Sequence, residues 1–403
     1  MSLNSEEIIS QTISFSSQPS LPSFEQSCNS SSSSCHYQCV ATLGGSNSYI
    51  SGLAVDGDSL YVASSDGHIR LWPLDMAMRQ ESQSEVSGST VAVTGSSVKC
   101  LLAIGNGLVS SHQDGTIRVW RHAGVRRLAL RAVLPTTADC LRTFLIPGSY
   151  VEVRRHKKRT WVHHVDAVTA LALSPDGARM YSVSWDRSLK AWRLPSRRCA
   201  ESVAAAHDDA INAVVAAPDG HVYTASADRT VKAWRRHPGQ KKLSLVGTME
   251  RHSAAVNALA LGGAGGRVLY SGSCDRSVVV WDWESAADGR MTATVTLRGH
   301  AKAVLCLAAA GDVVCSGSAD KTVRVWRRGA AAAAEGYSCL AVLDGHGGAV
   351  KSLALVSGAA GCDHCCSCDM DESSSCGCGR AALVCSGSLD CDVKLWRVTV
   401  SSL

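Results

Sequence analysis

Seven times along the chain, apolar residues stand three and five positions after an aspartate, and a tryptophan stands at the sixth. The pairs are Asp66/Trp72, Asp114/Trp120, Asp186/Trp192, Asp228/Trp234, Asp275/Trp281, Asp320/Trp326 and Asp390/Trp396. The first apolar position reads Ile69, Ile117, Leu189, Val231, Val278, Val323 and Val393. The second reads Leu71, Val119, Ala191, Ala233, Val280, Val325 and Leu395. Equal parity with β-branched enrichment predicts a short strand, since one face of a strand repeats every second residue. The residue between the two is basic in six copies (Arg70, Arg118, Lys190, Lys232, Arg324 and Lys394) and Val279 in the other.

A second strand precedes each aspartate and ends in small residues, as in Tyr270-Ser-Gly-Ser-Cys-Asp275 and Cys315-Ser-Gly-Ser-Ala-Asp320. The aspartate is then the turn residue of an antiparallel pair, where its short carboxylate accepts turn N–H groups. Sixteen to nineteen residues before it opens a further strand, for example Val304-Leu-Cys-Leu-Ala or Val256-Asn-Ala-Leu-Ala. Four residues ahead of that strand stands a histidine in five copies: His164, His207, His252, His300 and His346. The first two copies lack it, with Gly45 and Gly95 in that region, and are expected to be held less tightly.

These residues resemble the WD-repeat family, whose unit is one four-stranded propeller blade with Gly-His at one end and Trp-Asp at the other. Gly299-His300, Gly345-His346 and Trp281-Asp282 carry the literal pairs. The resemblance implies an all-β, seven-bladed propeller. It also implies a hydrogen-bonded chain in each histidine-bearing blade, in blade six running through His300, Ser316 or Ser318, Asp320 and Trp326. The last Trp lies seven residues from the end of the chain, which leaves little for a fourth strand there. Tyr37-Gln-Cys-Val-Ala-Thr-Leu43 is similar to Ser338-Cys-Leu-Ala-Val-Leu343 and is expected to supply the outer strand of the last blade, removing an open edge.

Composition adds boundaries. Residues 1–35 are dominated by serine and cannot bury enough apolar surface to offset the entropy of ordering, so a disordered tail is expected before a propeller over 36–403. Net charge is +5, too weak to argue for nucleic acid on its own. No apolar run approaches the roughly 20 residues of a membrane-spanning helix, and Glu6 and Glu7 stand where a secretory leader would be basic. The expectation is cytoplasm or nucleus, not secretion, with reduced thiols. Cys274, Cys306, Cys315 and Cys385 fall in or beside blade strands and read as small apolar residues.

The repeat also serves as a ruler. Trp326 to Val350 is 24 residues but Trp120 to Val168 is 48; Val304 to Asp320 is 16 but Val350 to Asp390 is 40. The two insertions fall at about 136–160 and 358–380. The first follows an expected outer strand Leu128–Leu134 and carries Arg154-Arg155-His156-Lys157-Lys158-Arg159, a run suited to phosphate contact or nuclear import; the plain reading is a solvated loop. Tyr150-Val-Glu-Val-Arg-Arg-His-Lys-Lys-Arg-Thr-Trp-Val-His-His164, the Ala167–Ala172 strand and the serine-rich leader are also similar to the plant Jingubang-like proteins. That resemblance implies a regulator of plant reproductive development or stress that binds transcription regulators. The second insertion holds Cys362, His364, Cys365, Cys366, Cys368, Cys376 and Cys378. Four thiolates there suit tetrahedral zinc, but the spacing matches no standard module and no apolar residue supports a small fold, so a polar loop with reactive thiols is favoured and no cofactor is expected.

No nucleophile motif, Gly-rich phosphate loop or paired acids stand outside the repeat, and His and Asp recur once per blade, as structural residues do. A non-enzymatic protein-interaction scaffold, monomeric outside its complexes, is therefore the leading expectation. Its partner face is the one bearing the aspartate turns. Trp185 is surplus to the seven blade tryptophans and is the first candidate anchor, with Gln113, Arg187, Lys302 and Lys351 beside it. Two alternatives stay open. A substrate receptor of a cullin-type ubiquitin ligase would carry Trp-Asp-x-Arg, and here Trp281-Asp282-Trp283 runs into Glu284. A nucleic-acid binder would use Arg154–Arg159 with steep salt dependence.

Overall fold

The computed structural model describes residues 35–44, 46–74, 88–105, 107–124, 127–145, 150–154, 157–237, 239–240, 242–283, 291–329, 336–357 and 380–400, with backbone alone at 150–154, 157–159, 283, 357, 380, 381 and 400. Seven four-stranded antiparallel sheets follow one another around a ring as the blades of a propeller. Blade 1 spans 50–93, blade 2 98–134, blade 3 168–203, blade 4 211–250, blade 5 256–298, blade 6 304–343 and blade 7 350–400. Within a blade the strands run consecutively from the inside outward, as in blade 6: Val304–Ala310, Val313–Ser318, Val323–Arg328 and Tyr337–Leu343.

Blade 7 breaks that order. Its outer strand is Cys35–Leu43, paired antiparallel with Val393–Val400 in a register that sets Leu43 against Val393 and Cys35 against Val400. The expected closure is therefore present, and it starts at Cys35, a residue the sequence had placed in the tail. Residues 1–34 lie outside the described residues.

The apolar pattern explains why the sheets stack. Both faces of each blade bury apolar side chains, and the core resolves into seven clusters, one at each junction between neighbouring blades. The cluster between blades 7 and 1 unites Leu43 of the closing strand with Ile50, Leu60 and Trp72 of blade 1 and Cys385, Val393 and Leu395 of blade 7. Burying a closing strand this way stabilises both neighbours, at about 25 cal/mol per Å² of apolar surface.

Two irregularities recur. Each inner strand bulges at its second residue, a slip seen for example between Val98 and Cys100 and between Val350 and Ser352. In blades 2 to 6 the third strand slips against the fourth beside the tryptophan, as at Val119/Trp120; blade 1 slips earlier, at Ile69/Arg70. A bulge re-aims one side chain and sharpens the local twist.

The first insertion is not a plain loop. Thr137–Phe144 is an α-helix whose N-cap, Thr136, accepts a hydrogen bond from the Asp139 backbone N–H at 3.2 Å. Asp139 is buried and accepts the Cys199 backbone N–H at 3.3 Å, which docks the helix on blade 3. A hairpin follows, Tyr150–Arg154 against Lys157–Thr160. The helix was legible in Thr136 and Asp139, cap and third residue of a first turn; the ruler had marked only surplus length. The second insertion, including Cys362, His364, Cys365, Cys366, Cys368, Cys376 and Cys378, lies outside the described residues.

The described cysteines are free thiols. Cys306, Cys315 and Cys385 are buried as expected, and burial pushes the Cys315 and Cys385 thiols up to about 12. Cys274 corrects its expectation: it is exposed, because it occupies the turn position just before Asp275 rather than the strand itself. No helix among the described residues is long and apolar enough to cross a membrane.

Candidate functional site

The turns between second and third strands and the loops entering the first strands lie at one end of every sheet and form one face of the ring. In blades 3 to 7 a four-membered relay knits this face together. In blade 6, His300 Nδ1 lies 2.8 Å from Asp320 Oδ2, His300 Nε2 lies 2.8 Å from Ser316 Oγ, and Trp326 Nε1 donates to Ser316 Oγ at 2.9 Å. The carboxylate holds the proton on Nδ1, so Nε2 accepts the serine hydroxyl, whose oxygen in turn accepts the indole N–H. Ser316 is thus the relay serine. Ser318, the other candidate, accepts the Asp320 backbone N–H at 3.1 Å.

The same geometry joins His207, Thr224, Asp228 and Trp234, then His252, Ser271, Asp275 and Trp281, and His346, Ser386, Asp390 and Trp396. Blade 3 uses His164, Ser182, Asp186 and Trp192, with the His164–Asp186 contact longer at 3.3 Å. Each aspartate also accepts backbone N–H groups, Asp320 from Ala301 and Thr322 at 2.9 and 3.0 Å. Burial pushes the Asp275 carboxyl up, but hydrogen bonds from His252 and Ser277 outweigh it and hold it at about 2. Asp186 and Asp320 are held lower still by the same balance. These groups are consumed inside the blades, as their recurrence implied.

Blades 1 and 2 solve the problem differently. Blade 2 has a histidine after all, His112, two residues before its aspartate where Ser184, Ser226, Ser273, Ser318 and Ser388 stand elsewhere. His112 Nε2 lies 2.8 Å from Ser110 Oγ, which also accepts Trp120 Nε1–H at 2.8 Å. Its aspartate turns to the third strand: Arg118 donates to Asp114 Oδ2 at 3.1 Å and to the Thr94 carbonyl. In blade 1, Arg70 donates to Ser64 Oγ at 2.9 Å, and Val62 replaces the relay hydroxyl. His112 stands on the second strand rather than the entry loop, and its place two residues before Asp114 was the signal legible in the sequence.

The predicted anchors scatter around the face. Gln113, Arg187 and Lys302 are exposed. Trp185 is half-buried rather than a free anchor: its indole N–H donates to Asn212 Oδ1 at 3.3 Å, and Lys99 Nζ lies 5.4 Å from its ring. Lys351 Nζ sits 4.9 Å from the ring of Tyr49. Lys99, Asn212 and Lys351 are bulge residues of their inner strands, and several bulge side chains latch the next blade. Thr169 donates to the Ile211 carbonyl at 2.6 Å, Asn212 to that of Val256 at 3.0 Å and Asn257 to that of Val304 at 2.8 Å. Lys99 and Lys351 bridge their junctions by cation–π contact instead. Trp185 and Lys351 therefore belong to the ring's own fastening.

Of the basic segment, Arg154, Lys157, Lys158 and Arg159 are described in backbone only, and Arg155 and His156 lie outside the described residues. Among the described residues no group of three or more His, Cys, Asp or Glu side chains is placed to hold a metal ion. The opposite face carries an open cleft of about 520 Å³ between blades 3 and 4, lined by Asp176, Arg179, Asp219, His221 and Arg236 among others. Asp219 Oδ2 and His221 Nδ1 lie 2.9 Å apart there.

Five segments match the family model for the WD domain, G-beta repeat: residues 37–73, 155–193, 200–235, 243–282 and 291–327. Four of the matched units include the outer strand of one blade with strands of the next, 37–73 joining the closing strand of blade 7 to blade 1, whereas 155–193 joins the insertion hairpin strand Lys157–Thr160 to blade 3. Human striatin-4 is 43% identical over 60 residues, 14% of this chain and 8% of that protein. Human striatin-3 is 27% identical over 192 residues, 41% of this chain and 23% of that protein. The ribosome biogenesis protein YTM1 of Phaeosphaeria nodorum is 25% identical over 187 residues, 45% of this chain and 39% of that protein. The chain thus spans less than a quarter of the striatins it matches. It is a seven-bladed β-propeller in which five segments match the WD repeat, and the matches support a WD-repeat family. Propellers of this kind are generally non-catalytic, and the fold supports a protein-interaction scaffold.

Proposed function

We propose that the protein is a regulatory adaptor that binds other proteins through the face bearing the aspartate turns. The observation carrying this reading is a division of labour. Residues common to the blades are spent on internal hydrogen bonds, while positions between them on this face differ from blade to blade and reach solvent, as at Gln113, Arg187, Lys302 and Leu389. A rigid ring presenting a non-repeating surface suits selective recognition without chemistry. The likeness of Tyr150–His164 to the Jingubang-like proteins supports a partner among transcription regulators.

Affinity purification of the full chain from cells expressing it tests the face. One variant carries Gln113→Ala, Arg187→Ala, Lys302→Ala and Leu389→Ala; a second alters the opposite face with Asp176→Ala, Arg179→Ala and Gln240→Ala. Partners lost only with the first variant support the reading. Partners lost only with the second, or with neither, overturn it.

A further inference from the structure

We propose that the part of this face above blades 5 and 6 is the docking surface for an acidic peptide segment of the partner, a reading that rests on the face being the interaction surface. Four cations stand there: Arg251 and Lys302 on the loops entering the two blades, Arg276 and Lys321 on the two aspartate turns. All four are exposed, and among the described residues no carboxylate pairs with any of them. The turn carboxylates beside Arg276 and Lys321 are turned inward, Asp275 to His252 and Asp320 to His300, each at 2.8 Å, while Glu250 beside Arg251 is exposed.

Backbone conformation marks the same positions. Arg276 and Lys321 adopt φ of 69° and 74°, the left-handed region that favours glycine, as do Arg187, Arg229 and Cys391 at the same turn of blades 3, 4 and 7. Blades 1 and 2 do place glycine there, Gly67 and Gly115, under the loop of the next blade. A Cβ on Gly67 would meet Thr94 Oγ1 at 2.8 Å, and one on Gly115 would meet the His164 carbonyl at 2.7 Å. Blades 3 to 6 thus keep a long cation at a turn position where blades 1 and 2 use glycine.

Charge also bounds the site. The loop entering blade 4 exposes Asp208 and Asp209, and blade 7 brings Asp344 and Asp392. Arg229 is also exposed on the blade 4 turn, but among the described residues only blades 5 and 6 combine an entry-loop cation with a turn cation, so an anionic chain is attracted most strongly there. Guanidinium forks at Arg251 and Arg276 suit bidentate carboxylate pairing, and the exposed setting makes the attraction sensitive to salt.

The test uses the full chain and a fluorescein-labelled peptide of six Glu-Glu-Gly repeats, read by fluorescence anisotropy. A lysine-for-glutamate peptide and a 16-nucleotide oligothymidine serve as comparisons. Expected is saturable binding of the acidic peptide alone, weakening at least tenfold in an Arg251→Gln/Arg276→Gly/Lys302→Gln/Lys321→Gly variant and weakening likewise from 50 to 200 mM salt. That variant should melt no lower than wild type, since Gly relieves two strained turns. No saturable binding, unchanged binding by the variant, or equal binding of oligothymidine through the same residues would overturn the proposal. If the acidic peptide fails while cellular partners still depend on the face, the acidic specificity falls and the scaffold reading stands. If those partners are indifferent to the face as well, both fall.

Discussion

Blades 1 and 2 and blades 3 to 7 share one strand plan but fasten it differently. In the larger group a loop histidine reaches across to the turn aspartate and down to a strand hydroxyl, so three segments are tied through one ring. In blade 2 the ring comes from the strand itself, and Arg118 takes over the tie between Asp114 and the entry loop. The common requirement is satisfaction of buried polar atoms. The Trp indole, the hydroxyl and the aspartate need partners, and which segment supplies them is negotiable.

That contrast can be tested, beginning with the largest effect. Deleting residues 1–44 strips the outer strand from blade 7 and opens the cluster shared with blade 1. The melting midpoint should fall by about 10 °C or more, and hydrogen exchange should rise first in blades 7 and 1. Exchange that rises first in blades 3 to 5 would contradict a seam located there.

Replacing His300 by Leu leaves Asp320 and Ser316 without their shared partner in a site where both are largely buried. The cost should be about 3 to 4 kcal/mol by urea unfolding, against about 1 to 2 kcal/mol for His112→Leu, which abandons no carboxylate. Equal costs would mean that the two fastenings are energetically alike.

Acid should separate the groups by pH. Burial, with Arg118 adding to it, lowers His112 from 6.5 to about 4. Between those values the unfolded chain binds a proton that the folded chain refuses, so stability falls as pH falls, by roughly 3 kcal/mol for this site. Burial outweighs Asp186 and Asp228 to lower His164 and His207 in the same direction. The aspartates act in a lower window: Asp275, depressed to about 2, loses its contribution as pH drops from 3.8 through that value. A His112→Gln variant should flatten the upper window only; an unaltered slope between pH 6.5 and 4 would remove His112 from the account.

The smallest effects carry opposite signs. Gly115→Ala sets a Cβ against the His164 carbonyl at φ 78° and should cost about 2 kcal/mol, whereas Arg276→Gly should be neutral or stabilise by up to about 1 kcal/mol. Thermal melts of the two variants moving the same way would show that the turns of blades 2 and 5 are equivalent.

Much of this was open to a reader of the chain. Seven Asp/Trp offsets identify seven blades, because a hydrogen-bonded turn and a buried indole recur at fixed spacing in each. The likeness of Tyr37–Leu43 to Ser338–Leu343 revealed the closing strand. The anchors were less legible. Trp185 looked free because it is surplus to the repeat, yet it is tied to Asn212 and Lys99 from the two flanking blades. His112 was overlooked because it reaches the same hydroxyl from a different sequence position.

The sequence by itself determined the number of blades, the pairing within them and the way the ring is sealed, since each follows from local periodicity and turn chemistry that one repeat contains whole. Only the tertiary structure decided what happens between blades: which bulge residues latch their neighbours, why Gly67 and Gly115 have no room for a side chain, and which cations remain uncommitted above blades 5 and 6. Contacts across a junction join residues as far apart in sequence as Asn212 and Val256, and their partners are set by how two rigid sheets meet. Periodicity along one strand carries no record of that meeting.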